Sequence, residues 1–325
     1  MRNGFAANVP LATHTTYRIG GKAKFFASVA NLDELLRAMD LSEKRLILGR
    51  GSKVLVSDEG FDGVVIIMRF EGVGSRDRRL VECGEWSIGS GVKDEWLGVR
   101  GQGSGAEKLD EARKGESEFA QAGTVYAGAG VGLSALSRFY AGRGLKGLEW
   151  ACGIPASLGG ALKMNAGAYG GDVAGVVQSA DVLRGGRVVR LLTKECGFAY
   201  RTSKFQFGDV IFGAALIAER GDESEIARLR ALYGEKRAAA QPAGYCCGSV
   251  FKAAEKPAYT YIEALGLKGI CIGGAQISEK HANFILNRGG AKARDVYNLI
   301  RTIKAEVFAS FGVRLQEEVV YVGEF

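Results

Sequence analysis

Several features that mark common protein classes are scarce or absent in this sequence. No apolar run approaches the roughly 18 residues of a membrane-spanning helix, and the opening MRNGFAANVPL lacks the apolar core of a secretory signal. None of the six cysteines forms a CxxC pair, and His14 and His281 are the only histidines. We therefore expect a cytoplasmic protein with reduced thiols and no zinc site or other metal site.

Basic residues are present in excess but are not concentrated. The chain has 43 lysines and arginines against 36 acidic residues, a formal net charge of +7. These residues are scattered along the chain, which argues against nucleic-acid binding. We expect a monomer that binds small anionic molecules and neither nucleic acid nor a membrane.

Glycine is abundant, with 48 residues among 325. The richest stretch, 142–172, reads GRGLKGLEWACGIPASLGGALKMNAGAYGGD, and a second loop, 49–53, reads GRGSK. Glycine lets backbone amides approach a ligand, and successive amides in such turns bind anions. Neither stretch is a Rossmann or P-loop motif. The two loops predict a nucleotide cofactor with its phosphates on backbone amides; the alternative is tightly packed loops without a ligand.

Hydrophobic periodicity predicts a chain of mixed strands and helices. Strands are predicted at 24–29, 45–48, 54–56, 64–68, 124–130, 176–182, 187–192, 210–217, 284–286 and 313–322. Helices are predicted from residue 31 and at 133–140, 226–233, 261–265 and 295–311. The charged, glycine-rich segment at about 74–121 predicts a mobile surface insertion.

Three residues outside the glycine loops suit chemistry at a carboxylate. Arg201 supplies a permanent positive charge, the Ser249 hydroxyl is a possible proton donor, and the Glu318 carboxylate can orient or relay protons. Each has a structural alternative: a surface ion pair for Arg201, a turn residue for Ser249 and an exposed strand charge for Glu318.

Seven segments together resemble the UDP-N-acetylenolpyruvoylglucosamine reductase (MurB) family, in the shorter class that lacks an extra tyrosine-bearing loop. They are LGRGSKVLVSDEGFDGVVI (48–66), YAGAGVGLSALSRF (126–139), GLEWACGIPASLGGALKMNAGAYGGD (147–172), FAYRTSKF (198–205), AGYCCGSVFK (243–252), GGAQISEKHANFILN (273–287) and GVRLQEEVVYVG (312–323). Their order and spacing make the resemblance specific, and it covers most of the chain outside 71–121.

The resemblance implies a flavin-binding domain of the p-cresol methylhydroxylase/vanillyl-alcohol oxidase type. Two α+β lobes, at 1–70 and 71–221, would hold FAD non-covalently between them, and 222–325 would form an α+β substrate domain. The cofactor-binding positions implied are Gly49, Arg50, Gly51, Ser52, Lys53, Gly128, Gly153, Ile154, Pro155, Ser157, Gly159, Gly160, Asn165, Ala166 and Gly167.

The family's reaction has two halves. NADPH reduces FAD, and hydride then passes to the enolpyruvyl double bond of a UDP-sugar, giving UDP-N-acetylmuramate for peptidoglycan. Arg201 and Glu318 would polarise the substrate carboxylate, and Ser249 would deliver a proton. The substrate-binding positions implied are Tyr200, Gln241, Lys252 and His281. A histidine in an apolar strand is also a common packing residue.

The chain departs from the family pattern at a few positions. Lys53 stands where asparagine is usual, Ala253–Ala254 replace an Asn-Pro pair, and Val320 stands where a basic residue is frequent. Two alternatives follow: a catalytically silent flavin- or nucleotide-binding paralogue, which the alanine pair favours, and a related flavin oxidase. Neither histidine lies in a flavin loop, which argues against an oxidase with FAD attached through histidine.

Overall fold

A computed structural model describes residues 5–74, 97–98, 123–205 and 208–325. The chain divides into unit 1, residues 1–28, 37–66 and 235–325, and unit 2, residues 29–36 and 67–234. The insertion predicted at about 74–121 lies outside the described residues apart from residue 74 and residues 97–98. The three-domain division at 70/71 and 221/222 stays a prediction.

Strands and helices are interspersed along the described chain. The strands are β1 (Phe5–Pro10), β2 (Lys22–Val29), β3 (Arg45–Leu48), β4 (Val54–Val56), β5 (Phe61–Met68), β6 (Gly72–Gly74), β7 (Leu97–Gly98), β8 (Thr124–Gly128), β9 (Gly167–Ala168), β10 (Gly171–Asp172), β11 (Val177–Arg184), β12 (Arg187–Leu192), β13 (Val210–Ile217), β14 (Cys271–Ile272), β15 (Ala275–Ile277), β16 (Ile285–Asn287) and β17 (Val320–Val322). The helices are α1 (Leu32–Met39), α2 (Leu133–Ala141), α3 (Leu158–Met164), α4 (Glu223–Ala240), α5 (Ala258–Ala264) and α6 (Ala293–Phe311), with single 3₁₀ turns at Leu11–His14 and Glu149–Ala151.

Unit 1 is built on small sheets and the long helix α6. One sheet has the order β1-β2-β5-β3, another has the order β14-β15-β16, and β4 pairs with β17 in parallel. Helix α6 packs on β14 and β15 and buries the apolar face that its sequence spacing predicts. The residues of that face are Val296, Leu299, Ile300, Ile303 and Val307. Gly312 ends the helix in the left-handed conformation, at φ 70°.

Unit 2 is built on one larger sheet with the order β12-β11-β13-β8-β6-β7. The antiparallel hairpin β11–β12 turns at Gly185 and Gly186, both with positive φ, as the sequence predicts. Helices α2 and α3 contribute Leu133, Leu136 and Leu162 to the buried core of the unit.

Two sequence expectations are corrected. The glycine-rich stretch contains a helix, α3, which begins at a serine N-cap because the Ser157 hydroxyl accepts a hydrogen bond from Gly160 N. The strand predicted at 313–322 forms a ladder only at 320–322. Residues 313–319 include a single bridge, from Glu317 to Phe251, so most of this segment has no regular strand partner. No helix among the described residues is long and apolar enough to cross a membrane.

Candidate active site

The loop 49–53 joins β3 to β4 in unit 1, and some of its backbone amides are open. Within the described part of the chain, nothing accepts a hydrogen bond from the backbone N–H groups of Arg50, Gly51 or Ser52. Gly51 has φ 63°, and a Cβ there would lie 2.2 Å from the His14 carbonyl oxygen, so the position requires glycine. Arg50 is exposed and adds a permanent positive charge. Open consecutive amides beside an arginine suit a phosphate group.

Lys53, the last residue of this loop, uses its ammonium group within unit 1. Lys53 Nζ lies 2.7 Å from Glu318 Oε2 and donates a 2.7 Å hydrogen bond to the Ser249 carbonyl oxygen. The Glu318 side chain is 5% exposed, so the alternative that Glu318 is an exposed strand charge is wrong. The backbones meet through the β4–β17 pairing, in which Val320 N donates to Lys53 O at 2.8 Å.

The serine segment is held in place by a buried asparagine. Phe251 N donates to Asn283 Oδ1, and Asn283 Nδ2 donates to the Phe251 carbonyl oxygen, both at 2.9 Å. Val250 N also donates to the Asn283 carbonyl oxygen at 2.9 Å. Three hydrogen bonds therefore fix the backbone immediately after Ser249.

The backbone that carries Ser249 runs beside the segment of the catalytic candidate Glu318. Glu318 N donates to the Val250 carbonyl oxygen at 2.8 Å, so the segments that carry the two residues run side by side. Ser249 is half-buried, and no group in the described residues forms a hydrogen bond with its hydroxyl. The hydroxyl is therefore free to donate a proton to a ligand.

The loop 153–160 of unit 2 uses most of its amides internally. Its hydrogen bonds, of 2.8–3.3 Å, run from Gly153 N to Ser134 Oγ, Ile154 N to Ala151 O, Ala156 N to Ile154 O, Leu158 N to Val131 O, Gly159 N to Ala129 O and Gly160 N to Ser157 Oγ. Pro155 has no N–H to donate. A ligand at this loop therefore meets few free amides.

Two glycines implied to bind the cofactor allow close packing within unit 2. A Cβ on Gly128, at the end of β8, would lie 2.1 Å from the Phe70 carbonyl oxygen. A Cβ on Gly159 would lie 3.0 Å from the Ala129 Cβ. At these two positions glycine, which has no side chain, allows other atoms of the protein to pack against the backbone.

The segment 165–167 lies at the end of α3 and is organised by Asn165. This buried residue has φ 41°, a left-handed conformation that asparagine tolerates. Its Nδ2 donates to Asp172 Oδ2 at 3.2 Å and to the Ala199 carbonyl oxygen at 3.1 Å, and its Oδ1 accepts from Ala174 N at 3.0 Å. The next residue, Ala166, donates its amide to the chain as well. Asn165 therefore links the end of α3 to the turn that begins at Ala199.

That turn carries Arg201. Ala199 and Thr202 exchange two backbone hydrogen bonds, of 3.0 and 3.1 Å, and Arg201 has φ 55° between them. A left-handed non-glycine residue stores strain and is frequent at functional sites. Arg201 Nη2 donates to the Gly167 carbonyl oxygen at 2.9 Å, and its Cζ lies 5.3 Å from the centre of the Tyr200 ring. The guanidinium group is thus oriented by unit 2 itself.

The implied substrate-binding residues have different environments. Tyr200 is 59% exposed, and Lys252 is half-buried with its backbone N–H bonded to Gln316 O at 2.8 Å. Gln241 Oε1 accepts a hydrogen bond of 3.2 Å from Arg237 Nη1 at the end of α4. Tyr200 is therefore the most exposed of these three residues, whereas the side-chain oxygen of Gln241 is already bonded to Arg237.

His281 packs among aromatic rings in unit 1. Its ring centre lies 5.2 Å from that of Tyr259 and 4.9 Å from that of Phe284. His281 Nδ1 accepts a hydrogen bond from Asn283 N at 3.2 Å, and burial lowers the pKa of the imidazole, although Glu263 opposes this. These contacts favour a neutral histidine at neutral pH.

Comparison with known proteins decides the family. Residues 241–322 match the family described as UDP-N-acetylenolpyruvoylglucosamine reductase, C-terminal domain, and residues 103–191 match the FAD binding domain family. The chain is 38% identical to the UDP-N-acetylenolpyruvoylglucosamine reductase of Heliobacterium modesticaldum, over 97% of this chain and 90% of that protein. It is 39% identical to UDP-N-acetylenolpyruvoylglucosamine reductase 2 of Symbiobacterium thermophilum, over 95% of this chain and 89% of that protein. The chain belongs to the UDP-N-acetylenolpyruvoylglucosamine reductase family.

A solved structure of this family agrees with the fold. The crystal structure of MurB from Thermus caldophilus superposes with a TM-score of 0.75 at 30% identity and covers 98% of each chain. The predicted family, the FAD-containing reductase class and the α+β flavin-binding fold are thereby confirmed. The open amides of 50–52 beside Arg50 fit the pyrophosphate of FAD, so loop 49–53 is the part of the implied cradle with the donors that a phosphate requires.

Proposed function

We propose that this chain reduces the enolpyruvyl double bond of UDP-N-acetylglucosamine enolpyruvate to UDP-N-acetylmuramate, a step of peptidoglycan precursor synthesis, with NADPH as hydride donor. Bound FAD would supply the chemistry of hydride transfer between NADPH and the double bond. The protein would act as a cytoplasmic monomer. The FAD pyrophosphate would bind the open amides of loop 49–53 and Arg50.

The free Ser249 hydroxyl is the observation that carries the residue-level proposal. Reduction of a carbon–carbon double bond needs a hydride at one carbon and a proton at the other. Ser249 is half-buried on a backbone fixed by Asn283, and its hydroxyl has no partner among the described residues. We assign to Ser249 Oγ the proton that completes the reduction.

Arg201 and Glu318 take the electrostatic and proton-relay roles. Negative charge develops on the substrate carboxylate when hydride adds to the double bond, and the Arg201 guanidinium stabilises that charge. Removing one such donor typically costs about 10²–10³ in rate. Glu318, on the segment beside Ser249, polarises the carboxylate region and relays protons. The substrate contacts would come from Tyr200, Lys252, Gln241 and His281.

Anaerobic visible spectra test the proposed function directly. The purified protein should be yellow, lose its flavin absorbance on addition of NADPH, and regain it on addition of UDP-N-acetylglucosamine enolpyruvate. Absorbance that is lost but does not return would point to another acceptor. A protein that takes up FAD but is not reduced by NADPH would support the silent paralogue.

A further inference from the structure

The ammonium group of Lys53 contacts the side chain of Glu318 and the backbone of Ser249, the two catalytic candidates of unit 1. We propose that Lys53 is a positioning residue for substrate reduction, which holds the Glu318 carboxylate beside the Ser249 segment. This inference rests on the proposed function, in which Ser249 and Glu318 take part in proton transfer. It assigns Lys53 a role other than the phosphate contact that its place in the glycine loop implies.

The Lys53 ammonium group contacts two other segments of the chain, those that carry Glu318 and Ser249. Lys53 Nζ lies 2.7 Å from Glu318 Oε2 and 2.7 Å from the Ser249 carbonyl oxygen. Both contacts are charge-assisted and short, the stronger class of hydrogen bond. The Lys53 ammonium group therefore links the Glu318 carboxylate to the backbone of Ser249.

Burial makes this contact matter more than a surface ion pair. The Lys53 side chain is 29% exposed and that of Glu318 is 5% exposed. By contrast, the Lys24–Asp62 pair of the same unit, at a similar distance of 2.9 Å, has side chains 56% and 69% exposed. Exposed pairs contribute little, whereas removing one partner of a buried pair leaves the other charge poorly compensated.

The backbone frame does not depend on the lysine side chain. Val320 N bonds to Lys53 O through the β4–β17 pairing, and Asn283 fixes the segment after Ser249. Loss of the ammonium would therefore leave the segments in place and remove the ion pair that holds the carboxylate at Lys53. Asparagine, the usual family residue at this position, is shorter than lysine and uncharged, so it cannot supply the same ion pair.

The two half-reactions are measured separately in three variants, Lys53→Met, Lys53→Arg and Lys53→Asn. Rapid mixing should show that Lys53→Met slows flavin reoxidation by the enolpyruvyl substrate about 10- to 100-fold, the loss expected for a charge-assisted hydrogen bond. Flavin reduction by NADPH and the dissociation constant for FAD, from flavin fluorescence, should stay within about twofold. Lys53→Arg should restore most of the rate because it keeps the charge. Lys24→Met is the matched surface control and should change neither step.

A double-mutant cycle with Glu318→Gln shows whether Lys53 acts through Glu318. The fold-change caused by Lys53→Met should largely disappear in the Glu318→Gln background, because coupled residues are not additive. An unchanged reoxidation rate in Lys53→Met, or a full effect of Lys53→Met in the Glu318→Gln background, would overturn the inference. A tenfold or greater weakening of FAD binding would instead make Lys53 a phosphate contact.

These outcomes are separate from failure of the proposed function. If Glu318→Gln and Ser249→Ala also leave reoxidation unchanged, the assignment of the catalytic residues is wrong. If they slow it and Lys53→Met does not, only the positioning role is wrong. If Lys53→Met fails to fold, Lys53→Asn is compared with Lys53→Arg instead. Only the arginine keeps the charge, so Lys53→Asn should slow reoxidation more than Lys53→Arg does.

Discussion

The two glycine-rich loops of this protein look alike in sequence and differ in what their amides do. In loop 49–53 the N–H groups of residues 50–52 have no acceptor within the described chain, and an exposed arginine stands among them. In loop 153–160 most amides donate to carbonyls or hydroxyls of unit 2. A high glycine content therefore indicates that other atoms can lie close to the backbone. Only the hydrogen bonds of the amides show whether those atoms belong to the protein or to a ligand.

Gly51→Ala should have the largest effect on stability because the first loop requires glycine for its own fold. The new Cβ would lie 2.2 Å from the His14 carbonyl oxygen, at a residue with φ 63°. We expect a loss of about 3–4 kcal/mol in the free energy of unfolding, from strain and overlap with backbone. Urea denaturation of the apoprotein measures it. Gly160→Ala is the control from the second loop, because its Cβ would meet only Ser157 Oγ, at 3.3 Å.

Asn165→Ala should have the next largest effect, since the end of α3 depends on that side chain. It removes hydrogen bonds to Asp172, Ala199 and Ala174 and places alanine at φ 41°. The expected loss is about 2–3 kcal/mol. Asn8→Ala is a matched control: Asn8 also has positive φ, 55°, but is exposed. Equal losses in the two variants would contradict the role of the Asn165 hydrogen bonds.

Arg50→Gln should weaken FAD binding without destabilising the apoprotein. Arg50 is exposed beside the open amides, so its removal should raise the dissociation constant for FAD about tenfold, or ~1.4 kcal/mol. The effect should shrink as salt concentration rises. Lys22→Gln, at an exposed position of β2, is the charge-matched control. Unchanged FAD affinity in Arg50→Gln would contradict the placement of the FAD phosphates at loop 49–53 instead of loop 153–160.

Any loss of stability at acidic pH that histidine causes should come from unit 1, because both histidines lie there. Burial lowers the pKa of His281 in the folded protein below its unfolded value of about 6.5. The unfolded chain therefore binds the proton more readily, and stability should fall as pH drops from 7 through this lowered pKa. This is the smallest of the four effects. The difference between the urea midpoints at pH 7 and pH 5 should be smaller in His281→Gln than in the wild type. An equal difference in the variant would mean that other groups cause the loss of stability at acidic pH.

Much of the fold and the order of the site motifs could be predicted because they depend on local pattern. The apolar face of α6 and the hairpin turn at Gly185–Gly186 follow from spacing and turn chemistry. The sequence does not predict helix α3 because Gly159 and Gly160 disfavour helix, and the serine cap and tight packing on Ala129 override that tendency.

The contacts between distant segments could not be predicted. The sequence shows Lys53 as an unusual residue in a glycine loop, but its pairing with Glu318 arises from the parallel contact of β4 with β17. The hydrogen bonds of Asn283 to the serine segment have no sequence signal either, because they join residues 32 positions apart across irregular backbone. Asn165 could have been found as a left-handed helix terminus had α3 been recognised.

The most direct test of the central claim, that the Ser249 hydroxyl donates the proton, is a rapid-mixing measurement on Ser249→Ala. We expect flavin reduction by NADPH at nearly the wild-type rate and reoxidation by the enolpyruvyl substrate slower by orders of magnitude. Ser42→Ala, in the segment before β3, serves as control and should match the wild type in both steps. If Ser249→Ala carries out both half-reactions at wild-type rates, Ser249 is not the proton donor.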